Sequence, residues 1–84
     1  MKAHVYVVSK RTVLDPQGQA IGNALRKLGH AGVEDVRQGK YFILTLDDSL
    51  DAAQAHSEVE RIASDVLCNP VMEEFSFRIQ EVAE

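Results

Sequence analysis

The apolar and polar residues of this chain recur with two different spacings, over six successive segments. Four segments rich in β-branched and aromatic residues predict strands, namely Ala3 to Ser9, Val33 to Gln38, Tyr41 to Leu46 and Val71 to Ile79. Two other segments repeat apolar residues every three or four positions and predict helices, from Pro16 to Leu28 and from about Leu50 to Cys68. The order predicts a ferredoxin-like α+β fold, βαββαβ, with a four-stranded antiparallel sheet and both helices on one face.

The first predicted helix has recognisable signals at both ends. Asp15 is suited to cap the free N–H groups of the first turn, and Pro16 fits the first helical position, where its missing donor costs nothing. Gly29 follows the last apolar residue, where a left-handed cap favours glycine. Gly18 and Gly22 each cost roughly 1 kcal/mol relative to alanine inside a helix. We therefore expect either a close approach of another backbone there or tolerated surface glycines.

The second predicted helix follows a cluster of capping and acidic residues, Asp47, Asp48, Ser49 and Asp51. Its apolar positions are Ala52, Ala55, Val59, Ile62, Ala63, Val66 and Leu67. Asn69 and Pro70 end it, because the residue before a proline is disfavoured in the helical region. After the last strand, the tail from Gln80 to Glu84 is expected to fray.

The first and third predicted strands are apolar on both faces, which suits the centre of the sheet. We expect Val5, Val7, Phe42 and Leu44 to face the helices. The other face of the sheet would then expose a patch of four residues, Tyr6, Val8, Tyr41 and Ile43. Because such a patch is normally covered, we predict that the sheet dimerises through this face with a second copy of the chain.

Composition narrows the class of protein. Residues 1–84 suffice for one small domain, and its thin core favours oligomerisation. A net charge of −4 argues against a nucleic-acid or anionic-membrane module, even though Tyr6 and Tyr41 could stack on RNA bases. The single cysteine, Cys68, is consistent with a reducing compartment. Without a signal peptide or a membrane-spanning apolar run, the expected location is the cytoplasm.

Residues with catalytic or metal-binding chemistry do not cluster. His4, His30, His56 and Cys68 lie far apart without metal-ligand spacing, so neither a metal site nor a Cys-His nucleophilic pair is expected. Arg37 and Lys40 flank Gly39, which is predicted to make the tight turn between the second and third strands. Two cations at a turn suit either a solvated hairpin or a contact with a phosphate or partner carboxylate.

Three segments resemble one family. They are Leu14-Asp15-Pro16-Gln17-Gly18, Val36-Arg37-Gln38-Gly39-Lys40 and Asn69-Pro70-Val71-Met72-Glu73. In length, motif order and spacing the chain resembles the small PurS subunits of phosphoribosylformylglycinamidine synthase along nearly its whole length. Arg11, Cys68 and Met72 depart mildly from the pattern without removing a motif position.

The resemblance implies a non-catalytic subunit in purine biosynthesis. The family's enzyme makes formylglycinamidine ribonucleotide (FGAM) from formylglycinamide ribonucleotide (FGAR), ATP and glutamine. The resemblance implies that the large subunit holds ATP and Mg, that a glutaminase subunit releases ammonia, and that the small subunit bridges the two as a homodimer, with a tetramer left open. No cofactor is expected on this chain.

Motif position and polar exposure suggest the residues that contact the larger subunits, namely Gln17, Gly18, Asn23, Arg37 and Lys40. Asp15, Pro16, Gly39, Asn69 and Pro70 have structural explanations as helix cap, helix start, turn and helix stop. The main alternative function is a regulatory ferredoxin-like dimer that binds a small molecule such as an amino acid.

Overall fold

The N-terminal strand is the centre of the sheet. A computed structural model of the chain describes residues 1–81, and in it β1 (Lys2–Ser9) pairs antiparallel with β2 (Gly39–Thr45) and with β3 (Glu73–Gln80). The strand order is β2-β1-β3. β1 is suited to this place because apolar side chains occupy both of its faces. The last strand includes Gln80, opposite Lys2, while residues 82–84 of the predicted tail lie outside the described part of the chain.

One face of the sheet forms the core with the second helix. α2 (Ala52–Ile62) begins at Asp51, which forms a capping box with Gln54. It packs against Ala3, Val5 and Val7, and the fully buried residues on the helical side are Ala55, Val59 and Ala63. These are positions of the predicted stripe, which confirms the helix and the face of the sheet that it covers.

The predicted second helix ends in a wider turn. Residues Ala63–Leu67 are π-helical, and the N–H of Cys68 bonds the carbonyl of Ala63 at 2.9 Å. In a π-helical turn each backbone N–H bonds the carbonyl five residues earlier. This wider turn rotates the side chains that follow it away from the buried face of the helix. Val66, predicted to be in the core, is therefore 74% exposed, whereas Cys68 is buried.

The first helix, α1 (Pro16–Lys27), packs against the segment that follows it rather than on the sheet core. No residue of α1 belongs to the core cluster, and its predicted apolar stripe is largely open, with Ile21 and Leu28 exposed. Gly18 and Gly22 are its buried residues, and they face Val36. We call α1 and the chain up to Gln38 the arm (residues 16–38).

The prediction of a strand from Val33 to Gln38 is wrong for the single chain. Among residues 1–81 these residues have no ladder partner, so the described sheet has three strands rather than four. The expected tight turn at Gly39 is also absent, because Gly39 is the first residue of β2 and its φ is not positive. A Cβ there would lie 2.3 Å from the Val7 carbonyl oxygen, so glycine is needed for close approach to β1.

The arm makes the molecule elongated. The Cα radius of gyration is 16.3 Å and the principal extents are 50 × 32 × 14 Å. A compact domain of this length would have a radius of gyration of about 12 Å. None of the helices within residues 1–81 combines the length and the hydropathy that spanning a bilayer requires.

Candidate functional site

The three motif segments meet where the arm joins the sheet. The N–H of Lys10, just after β1, bonds the carbonyl of Met72 at 2.9 Å. Asp15 lies at the start of α1, and one oxygen of its carboxylate accepts from the N–H of Gln38 at 2.8 Å. The loop before α1, the segment before β2 and the turn before β3 therefore form one surface, which we call the arm base.

Asp15 holds two of these segments together. Its other carboxylate oxygen caps α1 by accepting from the N–H of Gly18 at 3.0 Å. The bond from Gly18, then that from Gln38, keep the pKa of Asp15 below its ordinary value of 3.8. Pro16 occupies the start of α1 as predicted. Asp15 therefore stabilises the fold and also fixes the relative positions of two segments of the arm base.

Arg37 is bound within the chain. Its guanidinium donates to the carbonyl of Ser9 and lies 3.7 Å from a carboxylate oxygen of Glu74. The side chain is half-buried, with 24% of its surface exposed. Arg37 thus fastens the arm to the ends of β1 and β3, a role that the sequence did not reveal because all three residues are distant along the chain.

The turn before β3 is organised by Asn69. Its side-chain oxygen accepts from the N–H of Val71, and its backbone carbonyl accepts from the N–H of Glu73 at 2.7 Å. The side chain of Glu73 in turn accepts from the Asn69 N–H at 2.8 Å. Asn69 and Pro70 therefore follow directly after the second helix and shape the rim of the arm base.

Two open cavities adjoin at this surface. One, of about 400 Å³, is lined by residues of two motif segments and their neighbours, including Leu14, Asp15, Val36 and Arg37. The other, of about 460 Å³, shares Leu14 and Asp15 and is completed by residues that include Gln17, Asn69 and Met72. Their mixed polar and apolar linings suit the side chains of a protein partner. Within residues 1–81, no group of three acidic, His or Cys side chains is placed to hold a metal ion.

The residues predicted to contact partners are distributed unevenly around the arm base. Gln17 is exposed at the second cavity, and Lys40 is exposed at the start of β2. Asn23 is exposed farther along α1 and accepts from Arg26 at 2.8 Å. Gly18, by contrast, is buried beneath the carbonyl of Val36.

The open face of the sheet carries the residues predicted for dimerisation. Tyr6 and Tyr41 stack with ring centroids 5.1 Å apart, and Ile43 is 55% exposed beside them. Val8 is half-buried on the same face.

Sequence reasoning missed the residue at the centre of this open face. His4 is buried, and its Nε2 donates to the side-chain oxygen of Gln80 at 2.9 Å while its Nδ1 bonds the Tyr41 hydroxyl. The three residues come from three strands, so sequence spacing gave no signal of the network.

Comparison with known proteins agrees with this arrangement. The family model PurS, phosphoribosylformylglycinamidine (FGAM) synthase, matches residues 2–81. The PurS subunit of this synthase from Mycobacterium leprae is 48% identical over 75 residues, which cover 89% of this chain and 90% of the relative.

Solved structures extend the likeness to the fold. PurS of Methanocaldococcus jannaschii, one of the subunits of formylglycinamide ribonucleotide amidotransferase, superposes with a TM-score of 0.82 at 28% identity, covering 98% of both chains. A chain of the PurLQS structure from Thermotoga maritima superposes with a TM-score of 0.81 at 30% identity, covering 92% of this chain and 93% of that one. With its motif segments gathered at the arm base and its family match spanning nearly every residue, the chain belongs to the PurS family of phosphoribosylformylglycinamidine synthase.

Proposed function

We propose that this chain is the small subunit of a phosphoribosylformylglycinamidine synthase, the ATP-dependent carbon–nitrogen ligase of purine biosynthesis that converts FGAR to FGAM with glutamine as the amide donor. The family match over residues 2–81 is the observation on which this proposal rests. A relative of similar fold belongs to a PurLQS structure, which supports a role inside a larger enzyme. On this proposal the subunit works in the cytoplasm.

The contribution of the chain is structural rather than catalytic. It bridges the large synthetase subunit, which holds ATP and Mg, and the glutaminase subunit, so that ammonia passes between the two sites. The arm base supports this role because it offers open cavities beside a rigid framework in which Asp15 and Arg37 are already bonded. A surface fixed before binding loses little conformational entropy when a partner docks.

The five predicted contact residues divide into two groups on this proposal. Gln17, Asn23 and Lys40 are exposed and contact the larger subunits directly. Gly18 and Arg37 affect the same contact indirectly, because both already contact other parts of this chain and so determine the shape of the arm base.

Two copies of the chain pair through the open face of the sheet. Tyr6, Val8, Tyr41 and Ile43 supply an apolar and aromatic patch of the kind found at the centre of protein interfaces. His4 lies within this patch with its ring nitrogens bonded, so a second copy would cover it without leaving a ring nitrogen unpaired.

The test is FGAM formation by the large synthetase and glutaminase subunits of the same organism, with and without this chain. We expect the glutamine-dependent rate to require the chain and the rate with free ammonia to be unaffected by it. Equal rates in its presence and absence would contradict the bridging role. Lys40→Glu should weaken assembly of the three subunits, whereas Arg61→Glu, the same change of charge at an exposed position of α2, is the matched control.

A further inference from the structure

The last strand leaves one side of the sheet open. β3 lies on the side opposite β2, and within residues 1–81 no other strand pairs with its outer edge. Natural edge strands are often protected by lysine, by proline or by a charge that points into the core. Residues 73–80 contain no lysine and no proline, and the side chains of β3 that pack against the core are apolar, namely Phe75, Phe77 and Ile79. This edge therefore lacks the usual features that prevent another strand from pairing with it.

The hydrogen bonds of the sheet show which backbone groups of β3 point outward. The N–H of Lys10 bonds the carbonyl of Met72 at 2.9 Å, and this pair continues the register in which Ser9 lies opposite Glu73. In an antiparallel pair, positions bonded to the neighbouring strand alternate with positions whose N–H and C=O groups point the other way. The even-numbered residues of β3 therefore bond β1. The odd-numbered residues direct their backbone groups away from it, namely Glu73, Phe75, Phe77 and Ile79.

Three of these outward positions form a regular row. Glu73 already uses its N–H within the chain, since that group bonds the carbonyl of Asn69 at 2.7 Å. Phe75, Phe77 and Ile79 then present three N–H and three C=O groups at every second residue, the pattern to which an added strand binds. We call this row the β3 edge. Because opposite residues of neighbouring strands share a face, side chains of an added strand opposite this row would lie on the side of α2.

An apolar groove adjoins the β3 edge on that side. Its volume is about 310 Å³, and its lining includes Ala52 and His56 of α2 and Phe77 and Ile79 of β3. The ring of His56 is tilted against that of Phe77 with the centroids 5.0 Å apart, and 64% of the His56 side chain is exposed. The two aromatic and apolar side chains of β3 in the groove are only half-buried. An apolar side chain entering from an added strand would complete their burial.

The border of this groove is acidic. Three carboxylates flank the groove and the β3 edge, namely those of Glu60, Glu73 and Glu81. Arg78, the basic residue of β3, lies opposite His4 and so belongs to the other face of the sheet. The N-terminal amine of Met1, which also borders the groove, is paired with Asp48 at 3.7 Å. The charges on this side suit a segment that carries basic residues at its ends.

We propose that an extended segment of the large synthetase subunit adds to the β3 edge as a further strand of the sheet. Its backbone bonds the outward row, its alternate apolar side chains cover the groove beside His56, and basic residues at its ends approach the acidic border. Glu73 also lines one of the cavities of the arm base, so the added strand continues that surface. This contact rests on the proposed function, because it requires the synthetase subunit as a partner.

Hydrogen exchange resolved to single residues tests the added strand directly. The chain is placed in deuterated buffer alone and after assembly with the synthetase and glutaminase subunits, and each amide is read by mass spectrometry with fragmentation. In the chain alone, the amides of Phe75, Phe77 and Ile79 should exchange faster than those of Ser76 and Arg78, which bond β1. In the assembled enzyme the three outward amides should slow by about tenfold or more.

A proline variant tests the same contact through binding. Ile79→Pro removes an outward N–H without breaking a bond to β1, and edge strands tolerate proline at such a position. Ile79→Ala is the matched control, because it removes most of the same side chain and keeps the N–H. The dissociation constant for the synthetase subunit should be about tenfold higher for Ile79→Pro than for Ile79→Ala.

Charge reversal tests the basic chemistry of the incoming segment. Glu60→Lys, beside the groove, should weaken binding of the synthetase subunit. Glu58→Lys is the matched control, since Glu58 is exposed two positions from His56 and therefore points to the opposite side of α2. Equal effects of the two variants would contradict a basic partner segment at this groove.

The remaining outcomes separate this contact from the proposed function. Outward amides that stay fast in a complex whose mass is confirmed in the same sample would overturn the added strand alone, as would equal binding by Ile79→Pro and Ile79→Ala. Protection that rises with the concentration of the chain alone would assign the edge to a second copy, and protection by the glutaminase subunit alone would assign it to that subunit. Either result contradicts the proposal. Failure of the three subunits to assemble would remove the proposed function, and the added strand with it.

Discussion

The carboxylate of Asp15 accepts a hydrogen bond from the backbone N–H of Gln38, 23 residues away, at 2.8 Å. Its other oxygen caps α1 through Gly18. One side chain therefore fixes both the start of the helix and the end of the segment that packs on it. The cap was predictable from the Asp-Pro pair, whereas the bond to Gln38 was not, because it depends on how the arm folds back.

Asp15→Asn should lower stability at neutral pH and lose its effect in acid. Because the folded pKa of Asp15 lies below its ordinary value of 3.8, the stability it provides is fully present above the unfolded pKa. That stability is lost as the pH falls through the folded pKa. Thermal unfolding of both proteins between pH 2 and 7 should therefore show curves that converge at low pH. A difference that does not vary with pH would show that the ionised carboxylate is not the source.

Gly18→Ala and Gly22→Ala should have opposite effects. A Cβ at Gly18 would lie 2.2 Å from the carbonyl oxygen of Val36, so the arm must open. We expect a loss of about 1–3 kcal/mol, as for other overpacked sites.

At Gly22 the nearest atom to a Cβ is in the flexible Arg26 side chain, at 3.4 Å. The helix there gains up to about 1 kcal/mol from alanine. Urea unfolding followed by circular dichroism measures both variants. Equal behaviour of the two would contradict the close packing of α1 on Val36.

Arg37→Glu should destabilise the chain before any partner is added. The new carboxylate would face the carboxylate of Glu74, with which the guanidinium now forms an ion pair, and the carbonyl of Ser9, to which the guanidinium now donates. The exposed Lys40 is the matched control, since Lys40→Glu makes the same change of charge without an internal partner. Melting temperatures of the isolated chains separate the two. An unchanged melting temperature for Arg37→Glu would return Arg37 to a role in direct partner contact.

Cys68 should react slowly with iodoacetamide at neutral pH. Burial, then the charge of Glu73, raises the pKa of its thiol and keeps the thiolate scarce. Unfolding in urea should increase the alkylation rate strongly, as followed by mass spectrometry. Equal rates for the folded and unfolded chain would contradict the burial of this side chain.

Short stretches of sequence predicted most of the helices and strands, but they did not predict how these pack together. Asp15, Pro16 and Gly29 marked the ends of α1, and Gly29 has the expected positive φ of 97°. The segment from Val33 to Gln38 was predicted to be a strand, yet within residues 1–81 it pairs with no edge of the sheet. The sequence pattern shows that a segment is suited to a β-ladder, but it does not identify the strand with which the segment pairs.

The candidate site was only partly predictable for a related reason. The motif segments around Asp15, Arg37 and Asn69 were recognised, but the contacts that hold them together connect residues far apart along the chain. Asp15 and Gln38 are 23 positions apart, and Arg37 and Glu74 are 37 positions apart. The network of His4, Tyr41 and Gln80 spans three strands in the same way. Contacts of this kind depend on the register of the sheet, which Lys2 opposite Gln80 defines.

The central place of β1 has a consequence for synthesis on the ribosome. β1 emerges before both of its neighbours, since it pairs with β2 and, at Lys2, with Gln80 of β3. At about 5–20 residues per second, translation leaves β1 without its second neighbour for several seconds. Because both neighbours are distant in sequence, loop closure precedes most of the stabilising contacts and slows folding. We therefore expect the sheet to be completed only after β3 has left the ribosomal exit tunnel.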